Sequence, residues 1–162
     1  MPQKQITKVP QKRVPNKANY ELNNLKFLGD FMSAKGITTT EAGAKVGKSQ
    51  VSIYYWLKHD DARLSVVEEL INAYDYNLYI EFVDEKKADS RHIINITNSY
   101  EKRLSFLSAA LNSVDKEELA KFLDISSSTI YYWLYHDDIQ ISYIYRIADF
   151  LGKIVKINLQ PK

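Results

Sequence analysis

The 162-residue chain has no cysteine, only five glycines and no apolar run long enough to span a bilayer. Without cysteine there are no disulfides, no thiol nucleophile and no Cys-zinc site. So few glycines leave no Gly-rich phosphate loop and little material for flexible catalytic loops. No signal-peptide pattern opens the chain, so a cytoplasmic location is expected, with no membrane partner. The three histidines, His59, His92 and His136, form no cluster with carboxylates at a useful catalytic spacing. A non-enzyme is therefore expected: no catalytic residue, no metal ligand, no cofactor and no legible pocket for a small-molecule effector. What is present is ordinary for a soluble globular protein, 45% hydrophobic and 26% charged. The length suits one domain or two small ones.

Charge is unevenly placed. Residues 1–17 hold Lys4, Lys8, Lys12, Arg13 and Lys17 and no acid, which leaves 17 of the 22 basic residues to face all 20 acidic ones. The same head carries Pro2, Pro10 and Pro15 and almost no large apolar residue, so it cannot bury enough surface to order itself. Residues 1–19 read as a basic disordered arm. Such an arm can follow a phosphate backbone or enter a minor groove through Lys12, Arg13 and Lys17, or it can be a solvated tail.

The rest of the chain repeats itself. IYYWL occurs at Ile53–Leu57 and at Ile130–Leu134, and WLKHDDARLS at Trp56–Ser65 matches WLYHDDIQIS at Trp133–Ser142, always 77 residues on. Helix-like runs follow each, VVEELINAYDY and YIYRIADFLGK, and then strand-like NLYIEFV and IVKINLQ. In those last segments Leu78, Ile80 and Phe82 alternate as Val155, Ile157 and Leu159 do, the period of a half-buried strand. Upstream, Leu28, Phe31 and Met32 resemble Leu107, Ala110 and Leu111, with a shorter intervening loop expected in the second copy. Thr38 with Glu41, Asp115 with Glu118, and Ser65 with Glu68 each fit an N-cap with a carboxylate three residues on. Ser49 and Ser126 are the expected N-caps of the helices that follow.

The coarse plan is a mainly α chain: two tandem helix-turn-helix domains, each followed by a short β-strand. The first spans 20–83 and the second 101–162. Between them, residues 84–100 form a charged linker, with His92–Asn98 (HIINITN) a candidate strand that would pair with NLYIEFV as a hairpin. The corner between two short helices needs a small residue at the crossing and two apolar residues three apart on the second helix. The first copy supplies Ala42, Gly43, Val46, Gly47, Ile53 and Trp56; the second supplies Leu119, Ala120, Leu123, Ile125, Ile130 and Trp133. Both tryptophans are thus expected to face inward.

TTEAGAKVGKSQVSIYYW and KEELAKFLDISSSTIYYW resemble the helix-turn-helix domains of the Cro/phage-repressor (XRE) family. The resemblance covers about residues 26–76 and 104–152. Two positions depart from its pattern: Lys48, where the family usually has an apolar turn residue, and Asp124, where it usually has glycine. The resemblance implies a sequence-specific, double-stranded DNA-binding transcriptional regulator, repressor-like and prokaryotic or phage-encoded. It implies that Gln50, Val51 and Tyr55 read bases in the first copy, and Ser127, Ser128 and Tyr132 in the second. Gln can bond adenine in a bidentate fashion, Val can meet a thymine methyl, and Ser is tolerant. Lys48, Ser49, Ser52, Tyr54 and Lys58, and in the second copy Ser126, Thr129 and Tyr131, complete the expected DNA-facing set.

Two unlike helices in one chain predict two unlike half-sites about one helical turn apart, roughly 10 bp. A second reading stays open. The second presumed recognition helix has neither arginine nor lysine, and exposed tyrosines suit protein interfaces. The second copy would then be an interaction or dimerisation module, a homodimer being one such outcome, and would not touch DNA. The repeated HDD of His59–Asp61 and His136–Asp138 is read as a loop with helix-capping aspartates, because adjacent side chains diverge and cannot converge on a metal.

Overall fold

The computed structural model describes residues 23–84 and 102–162. Among the described residues the fold is mainly helical with one small two-stranded sheet. In chain order the elements are α1 (Lys26–Lys35), α2 (Thr39–Val46), α3 (Gln50–His59), α4 (Leu64–Ala73), β1 (Tyr76–Val83), α5 (Ser105–Ala110), α6 (Lys116–Leu123), α7 (Ser127–His136), α8 (Ile141–Leu151) and β2 (Ile154–Pro161). The described chain forms two compact units that divide between Ala62 and Arg63. The expected strand His92–Asn98 and the basic arm lie outside the described residues.

In the first unit, α2 begins where the local signal places it. Thr38 Oγ1 accepts from the Glu41 amide at 3.1 Å and Glu41 Oε1 accepts from the Thr38 amide at 3.0 Å, a closed capping box. Gly47 ends the helix at φ +68°, a left-handed conformation natural to glycine. Ser49 then caps α3, its hydroxyl accepting from the Ser52 amide at 3.1 Å. The crossing of α2 and α3 turns on Gly43. A Cβ there would sit 2.7 Å from the Lys48 carbonyl oxygen and 3.1 Å from the Ser49 carbonyl carbon, both backbone atoms. Only glycine lets the turn close this tightly, with the Lys48 amide bonded to the Gly43 carbonyl at 2.8 Å. Ile53 and Leu57 are fully buried on α3, whereas Trp56 is only partly buried. The first copy therefore turns its i, i+4 edge inward, and Trp56 falls beside that edge instead of on it.

The second unit repeats the corner. Asp115 caps α6, accepting from the Glu117 and Glu118 amides at 2.9 and 3.4 Å. Asp124 takes the left-handed role of Gly47 at φ 58°, and the Ile125 amide reaches the Ala120 carbonyl at 3.0 Å. Here Ile130 and Trp133 are the buried pair, with Trp133 against Tyr143 at 4.9 Å between ring centres. Ser126 stands at the N-cap of α7 but makes no capping bond; its hydroxyl is shared with those of Ser128 and Thr129 at 2.8 and 3.1 Å. The shorter stretch before α6 also differs from expectation. The connection from α5 to α6 is longer than that from α1 to α2, and the shortening falls in the helix: α5 has 6 residues against 10 in α1.

The HDD aspartates are long-range caps. Asp60, at φ 57°, ends α3 and also accepts from the Asn23, Asn24 and Leu25 amides at 3.1, 3.0 and 2.8 Å, holding the start of α1. Asp137 does the same in the second copy, accepting from the Arg103 and Leu104 amides at 3.0 and 2.8 Å ahead of α5. Leu25 and Leu104 sit at N-cap positions with no capping side chain of their own, so these carboxylates satisfy amides that would otherwise be orphaned. Asp138 crosses from the second copy to α4. It accepts from the Ser65 amide at 2.9 Å and from the Ser65 hydroxyl. Ser65 is thus not the cap of α4, as its spacing to Glu68 suggests; it lies within the first turn and is itself capped.

β1 and β2 pair antiparallel along their whole length, with Leu78 opposite Leu159, Ile80 opposite Ile157 and Phe82 opposite Val155. The three alternating positions foreseen in each strand are cross-strand partners. The centre of the ladder, Ile80 and Ile157, joins residues 77 apart, the spacing of the repeat; so does the bridge between Arg63 and Gln140. Within this unit α4–β1 and α8–β2 are related by an internal pseudo-two-fold axis, the arrangement of an isologous dimer made by one chain. A two-stranded ladder alone is marginal in water. Here α4 packs on β1, α8 on β2, and Phe82 meets Phe106 of α5 edge-on at 5.4 Å. Arg103 adds an ion pair to Glu68 at 2.8 Å. These contacts group α4 and β1 with the second copy, so the compact units divide at Ala62/Arg63 and not at the repeat boundary near residue 83.

Candidate nucleic-acid interface

The expected DNA-facing residues of the first copy surround α3. Lys48 and Ser49 are exposed in the turn, and Gln50 and Ser52 are half-buried in the first helical turn. Val51 is 57% exposed, an apolar side chain held in solvent at the second helical position. Tyr55, 51% exposed, stacks on His59 with ring planes 6° apart and centres at 5.3 Å. Tyr54 meets Tyr55 edge-on at 6.1 Å and takes the Lys58 ammonium over its ring at 5.9 Å. Val51, Tyr55 and Lys58 mark the side of α3 opposite Ile53 and Leu57. The sequence pattern passed over one further cation here, Lys45, exposed on α2. It becomes visible when the two copies are compared position by position.

In the second copy Ser126, Ser128, Tyr131 and Tyr132 are exposed on α7, and Ser127 and Thr129 are half-buried. Ser127 donates its hydroxyl to Glu117 Oε2 at 2.9 Å, so a carboxylate of α6 lies at the start of α7. The Lys116 ammonium stands 6.0 Å over the Tyr131 ring, and Tyr132 packs on His136 at 4.0 Å. Tyr135, absent from the expected set, is 83% exposed.

The two corners differ in sign. Residues 39–59 carry Lys45, Lys48 and Lys58 against Glu41, whereas residues 116–136 carry Lys116 and Lys121 against Glu117, Glu118 and Asp124. Lys12, Arg13 and Lys17 of the basic arm lie outside the described residues. Among the described residues no group of three or more His, Asp or Glu is placed to hold a metal, and no helix is long and apolar enough to cross a membrane. No protein-family model, no curated protein and no solved structure matches the chain.

Proposed function

We propose that this protein is a sequence-specific double-stranded DNA-binding regulator, built on two tandem helix-turn-helix units of Cro/repressor-like plan, in which α3 is the reading helix. The observation that carries this reading is the outward side of α3: Val51 and Tyr55 exposed behind a serine-capped start, with Lys48 before the helix and Lys58 at its end. A helix of 10 residues is about 15 Å long. Its width suits a major groove about 12 Å wide. Lys48 and Lys58 would neutralise phosphates and fix the register, while Gln50 and Val51 would meet base edges. Tyr55, backed by His59, offers a rigid ring and a hydroxyl to sugar or phosphate. The glycine crossing at Gly43 fixes the angle at which α3 leaves the corner. The acid-free head of the sequence would add cations along the backbone.

The test is duplex binding by anisotropy across a salt series. Lys48→Ala and Lys58→Ala should each weaken binding to all sequences and flatten the log–log salt slope by about 1. Gln50→Ala should instead cost about 1–3 kcal/mol at one base-pair position and relax specificity there. An unchanged slope in both lysine variants contradicts the reading.

A further inference from the structure

The duplication provides its own control, because one copy can be read against the other at a fixed offset of 77 residues. The three lysines of the first corner all disappear in the second. Lys45 becomes Phe122, Lys48 becomes Ile125 and Lys58 becomes Tyr135. These are not cores enlarging: Phe122 is 48% exposed and Tyr135 is 83% exposed. Tyr131 and Tyr132, at 57% and 58%, extend the aromatic surface along α7. Residues three and four apart on a helix share a face, so Tyr131 and Tyr135 stand on one side, with Tyr132 beside them.

Electrostatics disfavours a phosphate backbone at this face. Glu117 holds the Ser127 hydroxyl at the start of α7, where the first copy has Thr40 and Gln50. Asp115, Glu118 and Asp124 are exposed on or beside α6, and Lys116 and Lys121 offset only part of their charge. The aromatic rings already hold a cation, since the Lys116 ammonium sits over Tyr131. Exposed tyrosines supply large, rigid contact area with a polar tip, the composition of a protein interface centre. An acidic surround adds complementarity to a cationic partner.

We propose that the Tyr131, Tyr132 and Tyr135 face of α7 is a docking surface for a lysine- or arginine-bearing protein segment, and not for DNA. The proposal rests on the DNA-binding reading only in taking Lys45, Lys48 and Lys58 as the cations a DNA-facing copy keeps. The partner's apolar residues would lie on the rings while its cations met the rings and the acids of α6.

The experiment uses the full chain and two labelled probes, an acid-free leucine–lysine peptide and a leucine–glutamate peptide of the same length. The leucine–lysine peptide should bind at least about tenfold more tightly. A Tyr131→Ala/Tyr132→Ala/Tyr135→Ala variant, which leaves charge unchanged, should lose about tenfold of that affinity. Its DNA affinity should stay within about twofold of the parent. Tyr135→Ala, at the most exposed ring and equally charge-neutral, should lose part of that peptide affinity with DNA affinity unchanged, and serves if the triple variant unfolds in a thermal melt. Equal binding of the two peptides, or peptide binding indifferent to the tyrosines, overturns the proposal. So does a loss of DNA affinity in the tyrosine variant as large as that from Lys48→Ala. A null result for Lys48→Ala and Lys58→Ala on DNA, with the peptide results intact, would count against the DNA-binding reading alone.

Discussion

Gly43 and Ala120 occupy the same place in the two corners, and the difference is measurable. At Gly43 the backbone of the turn leaves no room for a Cβ; at Ala120, 3% exposed, one is already accommodated. Gly43→Ala should therefore destabilise by about 1–3 kcal/mol despite the better helix propensity of alanine. Ala120→Gly should cost about 1 kcal/mol, through propensity and lost packing. Urea unfolding of both variants checks this; a stabilised Gly43→Ala protein would contradict the close crossing. The left-handed aspartates separate in the same way. Asp60, Asp124 and Asp137 share φ near 57°, yet Asp60 and Asp137 also cap the start of a distant helix. Asp124→Gly should stabilise by roughly 0.5 kcal/mol, because only backbone strain is relieved. Asp60→Gly and Asp137→Gly should each destabilise by about 1–2 kcal/mol, because their carboxylates leave two or three amides unpaired. Equal melting shifts for all three would refute the distinction.

Among the elements, α4 has no local side-chain cap at its start. Its N-cap is Arg63, with no capping bond, and its first turn depends on Asp138 of the other copy. Asp138→Ala should destabilise by about 1–2 kcal/mol, and Ser65→Ala by about half as much, since it removes only the hydroxyl bond. Hydrogen exchange should show the loss first in the α4 amides; protection that is unchanged there would show that the cap is not needed. This is also where legibility in the sequence stops. Thr38, Ser49 and Asp115 announce their helices because cap and amide are two or three residues apart. Asp60, Asp137 and Asp138 act over more than thirty residues, so only the fold brings them to their helices. Ser65 followed by Glu68 imitates a capping box and is instead a guest of Asp138. The strands were legible from alternation, but their pairing was not, since alternation fixes a face and not a partner. At the candidate site, helices α3 and α7 followed from the repeated pentad. Lys45 and Tyr135 did not, because an exposed side chain has no periodic signature.

At the scale of the molecule, a duplicated chain has formed part of a dimer within itself. Ile80 faces Ile157 and Arg63 faces Gln140, each residue meeting its own repeat equivalent across a pseudo-two-fold axis. In a true homodimer both corners would carry the same surface. Here they have diverged, one basic around α3 and one aromatic and acid-flanked around α7. A single chain can thus assign different tasks to its two copies, which symmetric dimers cannot. The central claim is that α3 reads DNA. The most direct test is selection of bound sequences from a random duplex library, with the full-length protein at near-physiological salt. The account predicts one contiguous half-site motif, unchanged by alanine at Tyr131, Tyr132 and Tyr135 and degraded by Gln50→Ala. No enrichment over the starting library would contradict a DNA-reading α3. Two unlike half-sites about one helical turn apart, roughly 10 bp, would contradict the division of labour and make α7 a reading helix as well.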